Sequence, residues 1–357
     1  MWGLRKVKNN VIFKHKDVMI YTIWNNKGGT GKTSLSFQII TEYASIHREQ
    51  KILVVDLCPQ ANLSELLLGG LVGRGGDNLA KLGQENPRKT VGGYFANRIQ
   101  STFNATHFTT TDYLCKPSNY NANISGNIDL VAGDRLVEIQ GTALSSLANT
   151  QLPGVDSRLA VTSWIAEFIH QTEEEYDTIF IDTNPSFAIH TQMGIFAADR
   201  LLVPIMADDS SRRAIINLFT LIYGINLPDP IYENYQFANL LKKNNGRVPK
   251  IHLIIRNRIT QYMGEASAYG TVLNTIRDEA QTMLNAKPEL FTFRNLDDGM
   301  VSVKDFGTTG VVAFAEGKPF SILETGKHNI EGHETKVNKE LLIQCIDAIS
   351  QIVTKID

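Results

Sequence analysis

The run Lys27-Gly-Gly-Thr-Gly-Lys-Thr33 restricts what this chain can fold into more than any other feature. Before it stands Val18-Met-Ile-Tyr-Thr-Ile-Trp24, an apolar run that reads as a strand, and a helical pattern opens at Lys32 and continues to about residue 48. Lys51-Ile-Leu-Val-Val-Asp56 follows, continuously apolar as a strand buried on both faces of a parallel sheet must be. Strand, glycine loop, helix and strand make one βαβ unit. In that context the glycines let the backbone curl its N–H groups inward, and the helix N-terminus adds the positive end of its dipole, which suits a phosphate. The loop residues Gly28, Gly29, Thr30, Gly31 and Ser34 are expected to cradle that phosphate. Lys32 is placed to reach β- and γ-phosphates, and the Thr33 hydroxyl to ligate Mg²⁺.

The remainder alternates in the same way. Strands are expected at Ile128–Ala132, Thr178–Asp182, Arg200–Ile205, Ile251–Arg256 and Leu290–Phe293, with a helix around 157–171 and a final helix over 335–356. Residues 65–127, with Gly-Gly pairs and a tract rich in Asn and Thr, read as a partly helical, partly mobile insertion. The pattern predicts an α/β fold: a doubly wound, mostly parallel sheet with helices on both faces, as a single domain over 18–357 preceded by a basic lead-in at 1–17. At 357 residues, 43% apolar and 20% charged, the chain has ample length for one core. Three cysteines at no metal or redox spacing point to a reducing cytoplasm, and no run approaches the length of a membrane span.

Two strand-end carboxylates stand out. Asp56 closes its strand at the carboxyl end, where parallel sheets place their ligands. In Tyr176-Asp-Thr-Ile-Phe-Ile-Asp182, four apolar or β-branched residues precede a carboxylate suited to holding Mg²⁺. Net charge is only −2, so any nucleic-acid contact must come from a local patch. One candidate lies between Glu233 and Glu265, where no acidic residue occurs but Lys242, Lys243, Arg247, Lys250, Arg256 and Arg258 do, with Arg212 and Arg213 nearby. Arg256 and Arg258 flank the expected nucleotide loop. The other six are the expected contacts to DNA phosphates, and Arg5, Lys6, Lys8, Lys14 and Lys16 form either a second patch or a frayed tail.

The loop is not the commonest GxxxxGK[ST] form. As KGGxGKT it resembles the deviant Walker A motif of the ParA/MinD family, nearest to the plasmid-type members, and Lys27 matches that family's signature lysine. The resemblance implies that Lys27 crosses a dimer interface to the phosphates held by the partner subunit. Val-Val-Asp56-Leu-Cys-Pro-Gln-Ala-Asn62 is similar to the family's DxDPQ[AG]N, with Cys58 replacing the second aspartate, and implies that Asp56 orients or deprotonates the attacking water. Asp182-Thr-Asn-Pro185 is similar to D[TCL]PP, with Asn184 as its departure. The family places an adenine-reading Asn where this chain has Asn257, and a loop near Gly317-Lys-Pro319 over the base. Taken together, the resemblance implies an ATP- and Mg²⁺-dependent hydrolase that dimerises with ATP. Such a protein coats nonspecific DNA, is stimulated by a cargo-bound adaptor protein, and is cytoplasmic and nucleoid-associated, without a membrane partner. A MinD-like membrane cycle would need aromatic and basic residues on a final amphipathic helix, which has no Trp or Phe. A metabolic enzyme on the same fold, such as a carboxylating synthetase or an iron–sulfur reductase, is the third class.

Overall fold

The structure, a computed structural model, describes residues 18–104, 108–172, 175–206, 208–244, 247–259 and 268–356; the basic lead-in lies outside them. In chain order the elements are β1 Met19–Ile23, α1 Lys32–Ile46, β2 Ile52–Asp56, α2 Asn62–Leu67, α3 Gly75–Leu82, α4 Val91–Gln100, β3 Ile128–Val131, α5 Leu136–Ala148, α6 Ser157–Thr162, α7 Trp164–Thr172 and β4 Thr178–Asp182. There follow α8 Ile189–Ala197, β5 Arg200–Met206, α9 Asp209–Tyr223, α10 Ala238–Lys243, β6 Lys250–Ile259, α11 Ala268–Ala286, β7 Met300–Lys304, α12 Gly307–Glu316, β8 Gly326–Ile330, β9 His333–Val337 and α13 Lys339–Ile356. Seven strands form one sheet in the order β3-β2-β4-β1-β5-β6-β7, every pair parallel. The α/β, doubly wound expectation is what the chain adopts.

Alternation along the strands divides the core. Tyr21, Ile23, Ile52, Val54, Phe180, Leu202, Leu253 and Ile255 point to the side covered by α1, α12 and α13. Ile20, Leu53, Val55, Ile179 and Ile181 point to the opposite side, under α4, α5, α7 and α8. Further along that second side, Leu201, Val203, Ile205 and Ile254 meet α9, α10 and α11. A strand with both faces covered has no polar side to show, which is why β2 and β4 read as continuous apolar runs.

Three stretches differ from the sequence reading. Residues 65–127 are woven into the core: Leu67, Leu82, Val91, Tyr94 and Phe95 are all fully buried, and the Tyr94 hydroxyl donates to Trp164 O at 2.7 Å. Several glycines there, Gly69, Gly70, Gly73 and Gly75 among them, serve close backbone crossings. At Gly70 (φ 60°) an added Cβ would collide with Phe314 O, Gly317 N and Ala315 O. In place of the expected strand at Leu290–Phe293, a short 3₁₀ turn at Pro288–Leu290 is followed by one bridge, Ile251 to Phe291, and the seventh strand is Met300–Lys304 instead. The apolar residues of 290–293 pack as a plug beside α9 and α11. The predicted final helix begins at Lys339; Thr335–Val337 belong to an antiparallel hairpin with β8. Its apolar stripe is spent on the core, with Cys345, Ile349, Ile352 and Ile356 buried and Tyr21 donating its hydroxyl to Ile356 O at 2.6 Å. Among the described residues no helix is long and apolar enough to cross a membrane.

Gly70→Ala should therefore destabilise the protein by roughly 2 kcal/mol or more, because it combines a left-handed backbone with contact against rigid backbone atoms. Urea unfolding should show a lower midpoint at unchanged slope; an unchanged midpoint would mean that the crossing relaxes freely.

Candidate active site

The Lys27–Thr33 loop joins the carboxyl end of β1 to the start of α1, in the middle of the sheet. Gly31 takes φ 78°, and a Cβ there would strike the Asn257 amide. Asn257, buried at the end of β6, donates from Nδ2 to Thr30 O at 2.9 Å, and its Oδ1 accepts from Arg258 N–H at 2.9 Å. As placed, it braces the phosphate loop from below; reading a base edge requires that amide to be freed. Lys32 is 6% exposed and donates from Nζ to Lys27 O at 2.8 Å and Asn25 O at 3.2 Å. Burial pushes its pKa down to about 8, with Asp182 opposing the shift.

Asp56 and Asp182 end neighbouring strands in register, and both are fully buried. Asp56 Oδ1 accepts from Cys58 N–H at 3.0 Å, and Oδ2 accepts from Ser64 N–H at 3.0 Å and the Ser64 hydroxyl at 2.7 Å. It thus satisfies an otherwise orphaned amide in the first turn of α2. The Ser64 hydroxyl oxygen in turn accepts from Gly133 N–H at 2.8 Å. Asp182 Oδ1 accepts from Ser36 at 2.7 Å, while Oδ2 is buried with no hydrogen-bond partner. Burial raises both carboxyls above the usual carboxylate range, and for Asp182 the charge on Asp56 adds to it. Cys58, where the motif's second aspartate would stand, is a neutral thiol pushed up to about 12 by burial and then by Asp56. A third carboxylate at that place would worsen the crowding.

The orphaned Asp182 Oδ2, the Thr33 hydroxyl close to that carboxyl, and the buried, unpartnered Thr30 Oγ1 fit a magnesium–phosphate group. Such a cation is held by one or two protein oxygens plus phosphates and water. Accordingly, no cluster of three or more His, Cys, Asp or Glu residues suited to a metal occurs among the described residues. A cleft of about 660 Å³ runs out from Thr33 and Ser34 between Leu66, Leu71, Phe314 and Ala315, large enough for a nucleoside. Pro319 is buried on another flank of α1. Phe320 N–H beside it donates to Gln38 at 2.8 Å, and Gly317 O accepts from Asn121 at 2.8 Å.

Lys27 lies against Asp208, the N-cap of α9, in an ion pair, with Ser211 Oγ at 3.5 Å. Asp208, Ser211, Ser36 and Ser64 were not singled out from the sequence. The cap spacing Asp208-x-x-Ser211 and polar residues on buried helix faces were their only signals.

The six cations expected to contact DNA do not form one patch. Arg212 and Arg213 open α9 at the carboxyl end of the sheet, whereas Arg247 and Lys250 stand at the amino end, one length of β5 away, roughly 20 Å. Acids distant in sequence come to several of them: Arg212 pairs with Glu279, Lys243 with Asp156, and Arg247 with Asp199. Arg213, Lys242 and Lys250 are exposed. Arg256 is half-buried with an unpartnered Nε, and Arg258 is exposed at φ 58°.

A family model described as an AAA domain matches residues 18–228. A virulence plasmid ParA family protein of Chlamydia psittaci is 28% identical over 178 residues, 50% of this chain and 52% of that protein. A ParA family protein of Mycoplasma pneumoniae is 25% identical over 205 residues, 56% of this chain and 63% of that protein. The chain thus spans between half and two thirds of the length of these relatives. Among solved structures, apo McdA from Cyanothece superposes with a TM-score of 0.56 at 15% identity, covering 94% of this chain and 98% of the other. The ATP complex of its aspartate-to-alanine variant gives 0.54 at 16% identity, covering 86% and 90%. At such identity these two likenesses bear on the fold alone.

The raised carboxyls make a pH prediction. A group with a folded pKa above its unfolded value costs stability above that pKa, and the cost fades as pH falls through it. Asp182→Asn should therefore stabilise the fold at pH 8, on the order of 1–2 kcal/mol, with the gain shrinking toward pH 5. Added Mg²⁺ with nucleotide should no longer raise its melting temperature. Equal gains at both pH values would show that the carboxyl is not strained by burial.

Proposed function

Because the chain belongs to the AAA-domain family and is of the ParA type, we propose that it is a slow, partner-stimulated ATP hydrolase that positions or partitions a large cargo. In this reading ATP joins two copies, the pair coats nonspecific DNA, and an adaptor protein on the cargo triggers hydrolysis. The observation that carries the reading is the buried, unpartnered Asp182 oxygen beside Thr33 at the mouth of the glycine loop. Mg²⁺, when bound, would neutralise charge on the β- and γ-phosphate oxygens, held by Asp182 and Thr33. Lys32 exchanges its two loop carbonyls for phosphate oxygens. Asp56 orients the attacking water, and Lys27 reaches the nucleotide of the other copy, where a cation delivered in trans ties turnover to dimerisation. Exposed Arg213, Lys242 and Lys250 supply contacts to DNA phosphates. The buried stripe of α13 favours DNA over a membrane surface as the substrate for cycling, since an amphipathic anchor needs a free apolar face.

Lys32→Ala should weaken ATP binding on the order of 100-fold, whereas Asp56→Ala should bind ATP, accumulate as a dimer by light scattering and not turn over. Full turnover by Asp56→Ala would sink its assignment. For DNA, replacing Arg213, Lys242 and Lys250 together by Ala should lower the log–log salt slope of random-duplex binding by up to roughly 0.9 for each phosphate no longer neutralised, at unchanged ATP affinity. An unaltered slope would remove these residues from the DNA surface.

A further inference from the structure

Lys27 is the residue that the proposed function sends across to another subunit, yet its ammonium is already committed within its own chain. It ion-pairs with Asp208, and Ser211 Oγ lies 3.5 Å away. The pairing is built in from two sides. β5 is hydrogen-bonded alongside β1, so the residue that ends the β5 turn comes to rest beside the loop that leaves β1. Asp208 is itself fixed as the N-cap of α9: its Oδ1 accepts from Ser211 N–H at 2.8 Å and the Ser210 hydroxyl at 2.9 Å. The Ser211 hydroxyl oxygen accepts from Met206 N–H at 3.1 Å, which ties the cap back to the strand. One oxygen of Asp208 therefore holds the helix while the other faces Lys27. Burial alone would push this carboxyl up; the hydrogen bonds from Lys27, Ser210 and Ser211 outweigh it and hold it below the usual carboxylate range.

We propose that Asp208 is a positioning residue that holds Lys27 in cis, so that joining two copies requires Lys27 to exchange Asp208 for the partner's nucleotide. This rests on the reading of Lys27 as a cation acting in trans. Asp208 then sets the threshold for dimerisation. A carboxylate competes with a phosphate for the same ammonium, and the pair is exposed enough for salt to weaken it. Only a ligand richer in negative charge, a nucleoside triphosphate with its metal, displaces it. The residue touches neither nucleotide nor water in this scheme and acts through Lys27 alone.

The test uses the full chain as wild type, Asp208→Asn, Lys27→Ala and the double variant. Asn caps a helix about as well as Asp, so Asp208→Asn removes the charge and keeps α9; Asp208→Ser, also a capping residue, checks the fold a second time. Turnover is measured against protein concentration, with dimer fraction by light scattering in Mg·ATP. Asp208→Asn should reach half-maximal dimer at a concentration about two- to fivefold lower, the span of a half-exposed ion pair, with the KM for ATP unchanged. The gain should vanish in the Lys27→Ala background, since the two residues act as one unit. Raising salt should bring wild type toward the variant. Equal thresholds for wild type and Asp208→Asn, lower turnover in the variant, or the same gain without Lys27 would each overturn the proposal. A wild type that binds no ATP would instead overturn the functional reading on which it stands.

Discussion

Two carboxylates, Asp56 and Asp182, sit side by side at the buried ends of neighbouring strands, and much of the surrounding structure answers the charge they carry. Ser64, Cys58 N–H and Ser36 spend their hydrogens on them. Lys32 lies near enough to oppose the charge of Asp182 while being held on two carbonyls, those of Asn25 and Lys27. The one oxygen left without a donor, Asp182 Oδ2, is a standing demand for a cation. A metal–phosphate group meets that demand with opposite charge, so ligand binding and relief of buried repulsion are one event. The same crowding accounts for Cys58: a neutral thiol occupies a place where another aspartate would have to be buried in the same pocket.

What the sequence revealed depends on how local each signal is. The loop, Asp56 and Asp182 were legible because a glycine spacing and a strand-end carboxylate are short patterns with one structural meaning. The doubly wound architecture was legible from the alternation of strands with helices. The helix expected within residues 65–127 is there, but its packing was not legible, because paired glycines look the same in a mobile loop and in a tight backbone crossing, and only the neighbour, here Phe314–Gly317, decides which. The strand at Met300–Lys304 was missed because Leu290–Phe293 offers an equally apolar run; the choice was made by packing against α9 and α11, which no local window contains.

The basic residues make the same point about charge. A stretch without acids looks like a patch when read along the chain, but partners come from elsewhere: Asp156 for Lys243, Asp199 for Arg247, Glu279 for Arg212. Asp199 also accepts from Ile20 N–H at 3.0 Å, so the Arg247 pair is part of how β1 and β5 begin side by side. Linear clustering measures the supply of cations; it does not count the anions that folding brings to them.

The supports of the phosphate loop carry a consequence for synthesis. Its brace, Asn257, and the anchors of the strand and helix on either side of it, the Phe320 N–H bonded to Gln38 and the Ile356 carbonyl that receives Tyr21, lie far downstream of the loop itself. At ribosomal speeds of about 5–20 residues per second, the loop emerges on the order of ten seconds or more before the residues that shape it. A nascent chain therefore carries the glycine motif in full and lacks the means to hold it. Competence to bind nucleotide arrives late, and a truncated product retaining the motif alone would be inert.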